Sequence, residues 1–105
     1  MKSRGLIGRN ISLEWMFEDD KLTMIITTKD ILEQKKPILS VWRDEEDGMW
    51  QFLSSSDVDE DEAKIISLEE IVNLDNSLNE IADLKLGWVA WRQSQNEKWA
   101  RQLQE

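Results

Sequence analysis

The segment Ser67-Leu68-Glu69-Glu70 constrains the local fold more strongly than any other part of the chain. The Ser67 hydroxyl can accept a hydrogen bond from the amide three residues on, and the Glu70 carboxylate can accept one from the Ser67 amide, which is the arrangement of a capping box. Residues 63–66, just before it, end in two isoleucines and are typical of a short strand. We therefore predict a strand that turns directly into a helix, with the helix ending near Asn73.

Two hairpins are predicted in the first half of the chain. Residues 11–17 alternate between apolar and polar side chains, and residues 22–28 are rich in β-branched side chains. The acidic turn between these two segments would join them as antiparallel strands. Residues 38–43 and 49–53 predict a second hairpin, with the acidic run 44–48 at its tip.

The remaining segments predict short helices and one more strand. They are a helical turn over residues 29–36 stopped by Pro37, a second helix capped by Asp75 or Ser77 and ending near Leu84, a strand over residues 88–92, and a terminal helix from Ser94 that presents Trp99 and Leu103. The length of 105 residues suits one domain. We expect a single α+β domain over residues 1–105, with an antiparallel sheet of about five or six strands and helices on one face.

The composition argues against several classes of function. The chain contains no cysteine, which excludes disulfides and zinc–thiolate sites, and no histidine, which is the commonest general base and transition-metal ligand. No apolar run approaches the roughly 20 residues that span a bilayer, and the basic N-terminus lacks the apolar region of a secretory signal. We therefore expect a cytoplasmic protein without a cofactor.

Acidity is concentrated in one part of the chain. Residues 44–83 carry 14 of the 22 acidic residues and a single base, Lys64, so their formal charge is −13, whereas the whole chain has a charge of −9. Such a charge repels nucleic-acid backbones and anionic membranes, and it favours a basic protein partner. We predict that two acidic runs bind this partner; their residues are Asp44, Glu45, Glu46, Asp47, Asp57, Asp59, Glu60, Asp61 and Glu62.

Two other uses of these carboxylates match the sequence less well. Residues 57–61 follow the D-x-D-x-D start of a calcium-binding loop, but Glu62 stands where that loop needs glycine and Leu68 where it needs a bidentate glutamate. A hydrolase would need two carboxyl groups with separated pKa values across one cleft, whereas the acids here cluster in loops and helix caps. We expect no metal site and no catalytic residue, and a carboxylate-dependent hydrolase is the alternative function.

The six tryptophans point to a third function. Most of them should lie in the core, since each buries a large apolar area. Trp88 and Trp91 are three residues apart on one predicted strand, so they face opposite sides and one of them should be exposed. An exposed tryptophan is a common interface anchor. A third possible function is therefore a structural or regulatory subunit that dimerises through an exposed tryptophan and an edge strand. The sequence does not decide between a monomer and a homodimer.

A combination of residues spread over positions 37–92 resembles a known family. The residues are Asp44, Glu46-Asp47-Gly48, Trp50-Gln51-Phe52-Leu53, Ser67-Leu68-Glu69-Glu70-Ile71-Val72, Leu74-Asp75, Ser77-Leu78, Ile81-Ala82-Asp83-Leu84, Gly87-Trp88, Ala90 and Arg92. In these the chain is similar to small bacterial proteins of unknown function, close to the immunity-protein-33-like group. The resemblance implies an α+β fold, no cofactor and no known activity, and it does not extend to residues 1–28. The neighbouring group has been proposed to neutralise toxins, which would make the basic partner a cationic toxin.

Overall fold

The computed structural model of the chain describes residues 15–54 and 60–104. These residues form strands, α-helices and short 3-10 helices around one core, which confirms the predicted α+β class. In chain order the elements are β1 (Met24–Thr28), α1 (Lys29–Gln34), β2 (Ser40–Arg43), β3 (Trp50–Leu53), the first 3-10 helix (Glu60–Glu62), β4 (Ala63–Ser67), α2 (Leu68–Leu74), the second 3-10 helix (Asn76–Ile81), β5 (Trp88–Trp91) and β6 (Ala100–Leu103).

The strands form one six-stranded sheet in the order β4-β1-β3-β2-β5-β6. Four of the pairings are antiparallel, but β1 and β3 run parallel, with Ile26 opposite Gln51. The expectation of a fully antiparallel sheet is therefore wrong at this pairing. The reason is topological, because α1 carries the chain past one strand position and β3 returns into the gap between β1 and β2.

The predicted N-terminal hairpin is not formed in the part of the chain that the structure describes. Residues 15–17 are not in a strand, and β1 lies between β4 and β3 instead of pairing with a preceding strand. Residues 11–14 of the predicted strand lie outside the described residues. Phe17 is nevertheless buried in the core, where its ring meets Trp50 edge-on at 5.2 Å between ring centroids.

The C-terminal segment corrects a second prediction. Residues 100–103 form the edge strand β6, with Ala100 opposite Trp91 and Leu103 opposite Trp88, where we expected a helix. The Trp99 ring packs under the Arg92 guanidinium at 4.0 Å, so the tryptophan is fixed by a contact with the residue that follows β5 and not by a helical neighbour. Pairing with an existing sheet supplies backbone hydrogen bonds that outweigh a weak helical pattern.

The capping box is confirmed. The Glu70 amide donates to Ser67 Oγ at 3.2 Å, and the Ser67 amide donates to Glu70 Oε1 at 2.9 Å. Asp75 caps the next helix, since its Oδ1 accepts from the Ser77 amide at 3.0 Å. The helix that follows is of the 3-10 type and ends at Ile81, three residues earlier than predicted. Among the described residues no helix is long and apolar enough to cross a membrane.

One face of the sheet, the covered face, packs against the helices. Its central side chains are Ile25, Val41, Trp50, Phe52 and Ala90, which are all at most 1% exposed. The buried residues of α1, α2 and the second 3-10 helix join the same core cluster, for example Ile31, Leu68, Ile71, Leu78 and Ile81. Within the described part of the chain, the helices therefore cover one face, as predicted.

Alternation along the strands places every second side chain on the opposite face, here called the open face. From one edge of the sheet to the other they are Ala63, Ile65 and Ser67 on β4, Met24, Ile26 and Thr28 on β1, Gln51 and Leu53 on β3, Ser40 and Trp42 on β2, Val89 and Trp91 on β5, and Ala100 and Gln102 on β6.

Candidate functional site

The first acidic run forms the tip of the β2–β3 hairpin, and half of it is used to build the turn. Asp44 Oδ1 accepts from the Glu46 amide at 2.7 Å, and Asp47 Oδ1 accepts from the Met49 amide at 2.9 Å. Gly48 closes the turn with φ +74°, a conformation that side chains rarely adopt. Asp44 is half-buried, whereas Glu45, Glu46 and Asp47 are exposed.

The tip is held against the turn that precedes β5. A Cβ atom on Gly87 would lie 3.5 Å from the Glu45 Cβ, and the Gly87 amide donates to the Arg43 carbonyl at 2.8 Å. Gly87 also has a positive φ of +82°. A Cβ atom at this distance would make an ordinary van der Waals contact, so it is the positive φ that favours glycine here, and the hydrogen bond to Arg43 holds the tip against this turn.

A second acidic turn, which the sequence analysis did not include in the site, lies beside the hairpin tip. Asp19 Oδ1 lies 3.6 Å from the Arg43 guanidinium, and Asp19 Oδ2 accepts from Trp50 Nε1 at 3.1 Å. These contacts join the turn to the base of the hairpin. Its neighbours Glu18 and Asp20 are exposed.

The two turns meet because β1 and β3 are parallel neighbours. Each turn leads into the start of its strand, so both lie at the same end of the sheet. We call the exposed carboxylates there the acidic end: Glu18, Asp20, Glu45, Glu46 and Asp47. None of the five forms an ion pair with a described residue. Of the nearby bases, Arg43 is paired with Asp19 and Lys21 with Glu69, while Lys85 is exposed.

The second acidic run of the prediction is not brought to this end. Asp57 and Asp59 lie outside the described residues. The residues Glu60, Asp61 and Glu62 form the first 3-10 helix, which enters β4 at Ala63. Ala63 is opposite Thr28 at the far end of β1, so this run is at least a strand length, roughly 15 Å, from the hairpin tip. The described parts of the two runs are therefore separate surfaces.

Other carboxylates of the acidic segment are engaged in the fold. Glu70 completes the capping box, Asp75 pairs with Arg92 at 2.7 Å, and Asp83 pairs with Arg101 at 2.8 Å. A hydrogen bond from Arg101 lowers the pKa of the Asp83 carboxyl below its usual value. The charge of residues 44–83 therefore contributes less to the surface field than its formal value indicates.

In its described part, residues 60–68, the segment that begins like a calcium loop does not have the geometry of one. Residues 57–59 of the D-x-D-x-D pattern lie outside the described residues. A calcium loop would have to continue for six more positions, from Ala63 to Leu68, but β4 begins at Ala63. Across residues 15–54 and 60–104, no group of three or more His, Cys, Asp or Glu is placed to hold a metal ion.

Outside the acidic end, the carboxylate of Asp30 accepts hydrogen bonds from two side chains. Burial raises its pKa, but the hydroxyls of Ser54 and Thr28 both donate to it, and the net effect is a pKa below the usual value. These contacts tie the start of α1 to the end of β3. A general acid needs a raised pKa, so Asp30 is better explained as a structural carboxylate.

The tryptophans follow the prediction. Trp50 is buried, Trp15, Trp88 and Trp99 pack against the core, and Trp91 is 41% exposed on the open face. The Arg43 guanidinium stacks over the Trp50 ring at 4.9 Å.

Comparison with known proteins gives no relative. No family model matches the chain, and no curated protein and no solved structure is significantly similar to it.

Proposed function

We propose that this protein is a non-enzymatic binding domain that holds a basic protein partner at its acidic end. The observation that supports this is the meeting of two acidic turns at one end of the sheet, with Glu18, Glu45 and Glu46 exposed and without ion pairs to described residues. A concentrated negative field speeds encounter with cationic surfaces and discriminates against anionic ones. On the resemblance to immunity-like proteins, the partner would be a cationic toxin met in the cytoplasm.

The same geometry supports the alternative function, a carboxylate-dependent hydrolase, less well than it supports a binding domain. Asp19 and Asp47 line one cavity of about 220 Å³, so they are the pair of carboxylates from different turns that a cleft mechanism would use. Each of them accepts a hydrogen bond from the protein itself, Asp19 from Trp50 Nε1 and Asp47 from the Met49 amide. Both carboxylates therefore have a structural role that accounts for their position.

The proposal is tested by capturing the partner from extracts of the source cell with the tagged full chain. We expect a basic protein that is retained at about 0.05 M salt and released at about 0.5 M, because screening shortens the range of the field. The double variant Glu45→Lys with Glu46→Lys should lose the partner, since it reverses charges that are exposed in the native fold.

The matched control is Glu33→Lys with Glu62→Lys, which changes the net charge equally at the far end of the sheet. It should retain the partner. If the control loses the partner and the tip variant keeps it, the contact lies at the far end and the proposal is wrong. A bound partner that is not basic would contradict it as well.

A further inference from the structure

Among the described strand residues, none on the open face is charged, although 33% of the residues in the chain are charged. The charged strand residues lie on the covered face; they are Arg43, Lys64 and Arg101. The polar residues of the open face are serine, threonine and glutamine. The solvent-exposed face of a sheet usually carries polar and charged side chains. The open face therefore has the composition of a buried surface.

Large apolar side chains are exposed on three strands of this face, β4, β1 and β5, whereas Leu53 and Trp42 on the two strands between them are half-buried. Ile65 at one edge is 64% exposed, Met24 on the adjacent strand is 51% exposed, and Trp91 toward the other edge is 41% exposed. Between Trp42 and Trp91 lies a depression of about 320 Å³ that Leu39 and Val89 also line. Exposed apolar patches of this kind on a soluble domain mark interaction sites.

We propose that the open face is the self-association surface of this protein, and that a second copy of the chain covers it. A face without charges offers nothing for a charged partner to complement, whereas an identical face complements it in polarity by symmetry. The pairing also keeps the acidic end of each copy out of the interface, so a chain of charge −9 can dimerise without burying like charges.

The edges of the sheet are less suited to self-association than the face. The two edge strands are β4 and β6, and they carry Lys64 and Arg101. Basic residues on edge strands discourage pairing with another edge. The geometry therefore favours two sheets packed face to face over one sheet continued across two copies.

The size of the face indicates a weak dimer. Six strands spaced about 4.8 Å apart and roughly 15 Å long give a footprint of roughly 350 Å² per copy. This is well below the roughly 800 Å² per partner of a standard stable interface. We therefore expect a weak dimer, which forms only where the protein is concentrated.

The test is sedimentation velocity of the full chain between about 5 and 500 μM, at low and high salt. We expect a concentration-dependent shift from monomer to dimer, and tighter association at high salt because the repulsion between two acidic copies is screened. The variants Trp91→Lys and Ile65→Lys should each weaken the dimer at least about tenfold. Both positions are exposed, so circular dichroism should show that these variants keep the fold.

Leu103→Lys is the matched control, because Leu103 is 59% exposed on an edge strand but faces the other side of the sheet. It should dimerise like the wild type. A wild-type protein that stays monomeric throughout would overturn the proposal, as would a control that weakens the dimer as much as Trp91→Lys. The salt response separates this proposal from the acidic-end proposal, since added salt should strengthen the dimer and weaken partner binding.

Discussion

Arg92 ties three separate parts of the fold together. Its side chain is 1% exposed, and the guanidinium donates to Asp75 Oδ2 at 2.7 Å, to Ser77 Oγ at 3.0 Å and to the Ile38 carbonyl at 3.1 Å. The Trp99 ring closes the remaining side. A buried guanidinium is tolerated only when its donors are satisfied in this way, so Arg92 positions the cap of the second 3-10 helix relative to the sheet.

Replacing Arg92 should therefore be costly. We expect Arg92→Ala to lower the free energy of unfolding by about 3–5 kcal/mol, because the Asp75 carboxylate, 10% exposed, is left buried without its partner. Arg101→Ala is the control and should cost less than about 1 kcal/mol, since its partner Asp83 is 79% exposed. Urea denaturation measures both, and similar losses for the two variants would contradict this account.

Asp30 predicts part of the response to acid. Its pKa in the folded protein is below the usual 3.8. The carboxylate therefore contributes stability that is fully present above the unfolded pKa and is lost as the pH falls through the folded pKa. We expect Asp30→Asn to be less stable than the wild type at about pH 7, and the difference to shrink toward about pH 2. Urea denaturation at several pH values measures this, with Glu46→Gln as an exposed control; a constant difference would contradict it.

At the scale of elements, a helix cap or turn set by contacts within a few residues can be predicted from the sequence, whereas a strand pairing between distant segments cannot. The capping box at Ser67 and the turn at Gly48 depend on contacts within a few residues, and both are predicted correctly. The β6 strand and the parallel β1–β3 pair depend on segments far apart in the chain, and both were missed. Periodicity reports which side chains share a face, but it does not report which strand becomes a neighbour.

The capping box should contribute measurably to the stability of α2. We expect Ser67→Ala to lower the free energy of unfolding by about 1 kcal/mol, since an amide in the first turn loses its acceptor. Glu70→Ala should cost less when Ser67 is already alanine, because the two hydrogen bonds form one unit. Urea denaturation of the two single variants and the double variant measures this coupling. Ser94→Ala, at an exposed position, is the control; strictly additive losses would show that the box is not cooperative.

At the scale of the whole molecule, strand direction decides which charges meet. The two predicted acidic runs flank β3, and the loops at either end of one strand lie at opposite ends of a sheet. The sequence already contained this signal, because residues 49–53 read as a strand between two acidic loops. The neighbour that does meet the hairpin tip, the turn Glu18–Asp20, could not be inferred locally, since it depends on the parallel pairing of β1 with β3.

The clustering of carboxylates at the acidic end should lower the free energy of unfolding. Like charges held together in the fold repel, so removing them should stabilise the protein while weakening partner binding. We expect the triple variant Glu18→Gln, Glu45→Gln and Glu46→Gln to unfold at a higher urea concentration than the wild type at low salt, and the gain to fade at high salt. Asp44→Ala is the contrast and should destabilise at any salt, because Asp44 accepts the amide of Glu46. If the triple variant is destabilised, these carboxylates support the fold, and the acidic end is not a surface reserved for binding.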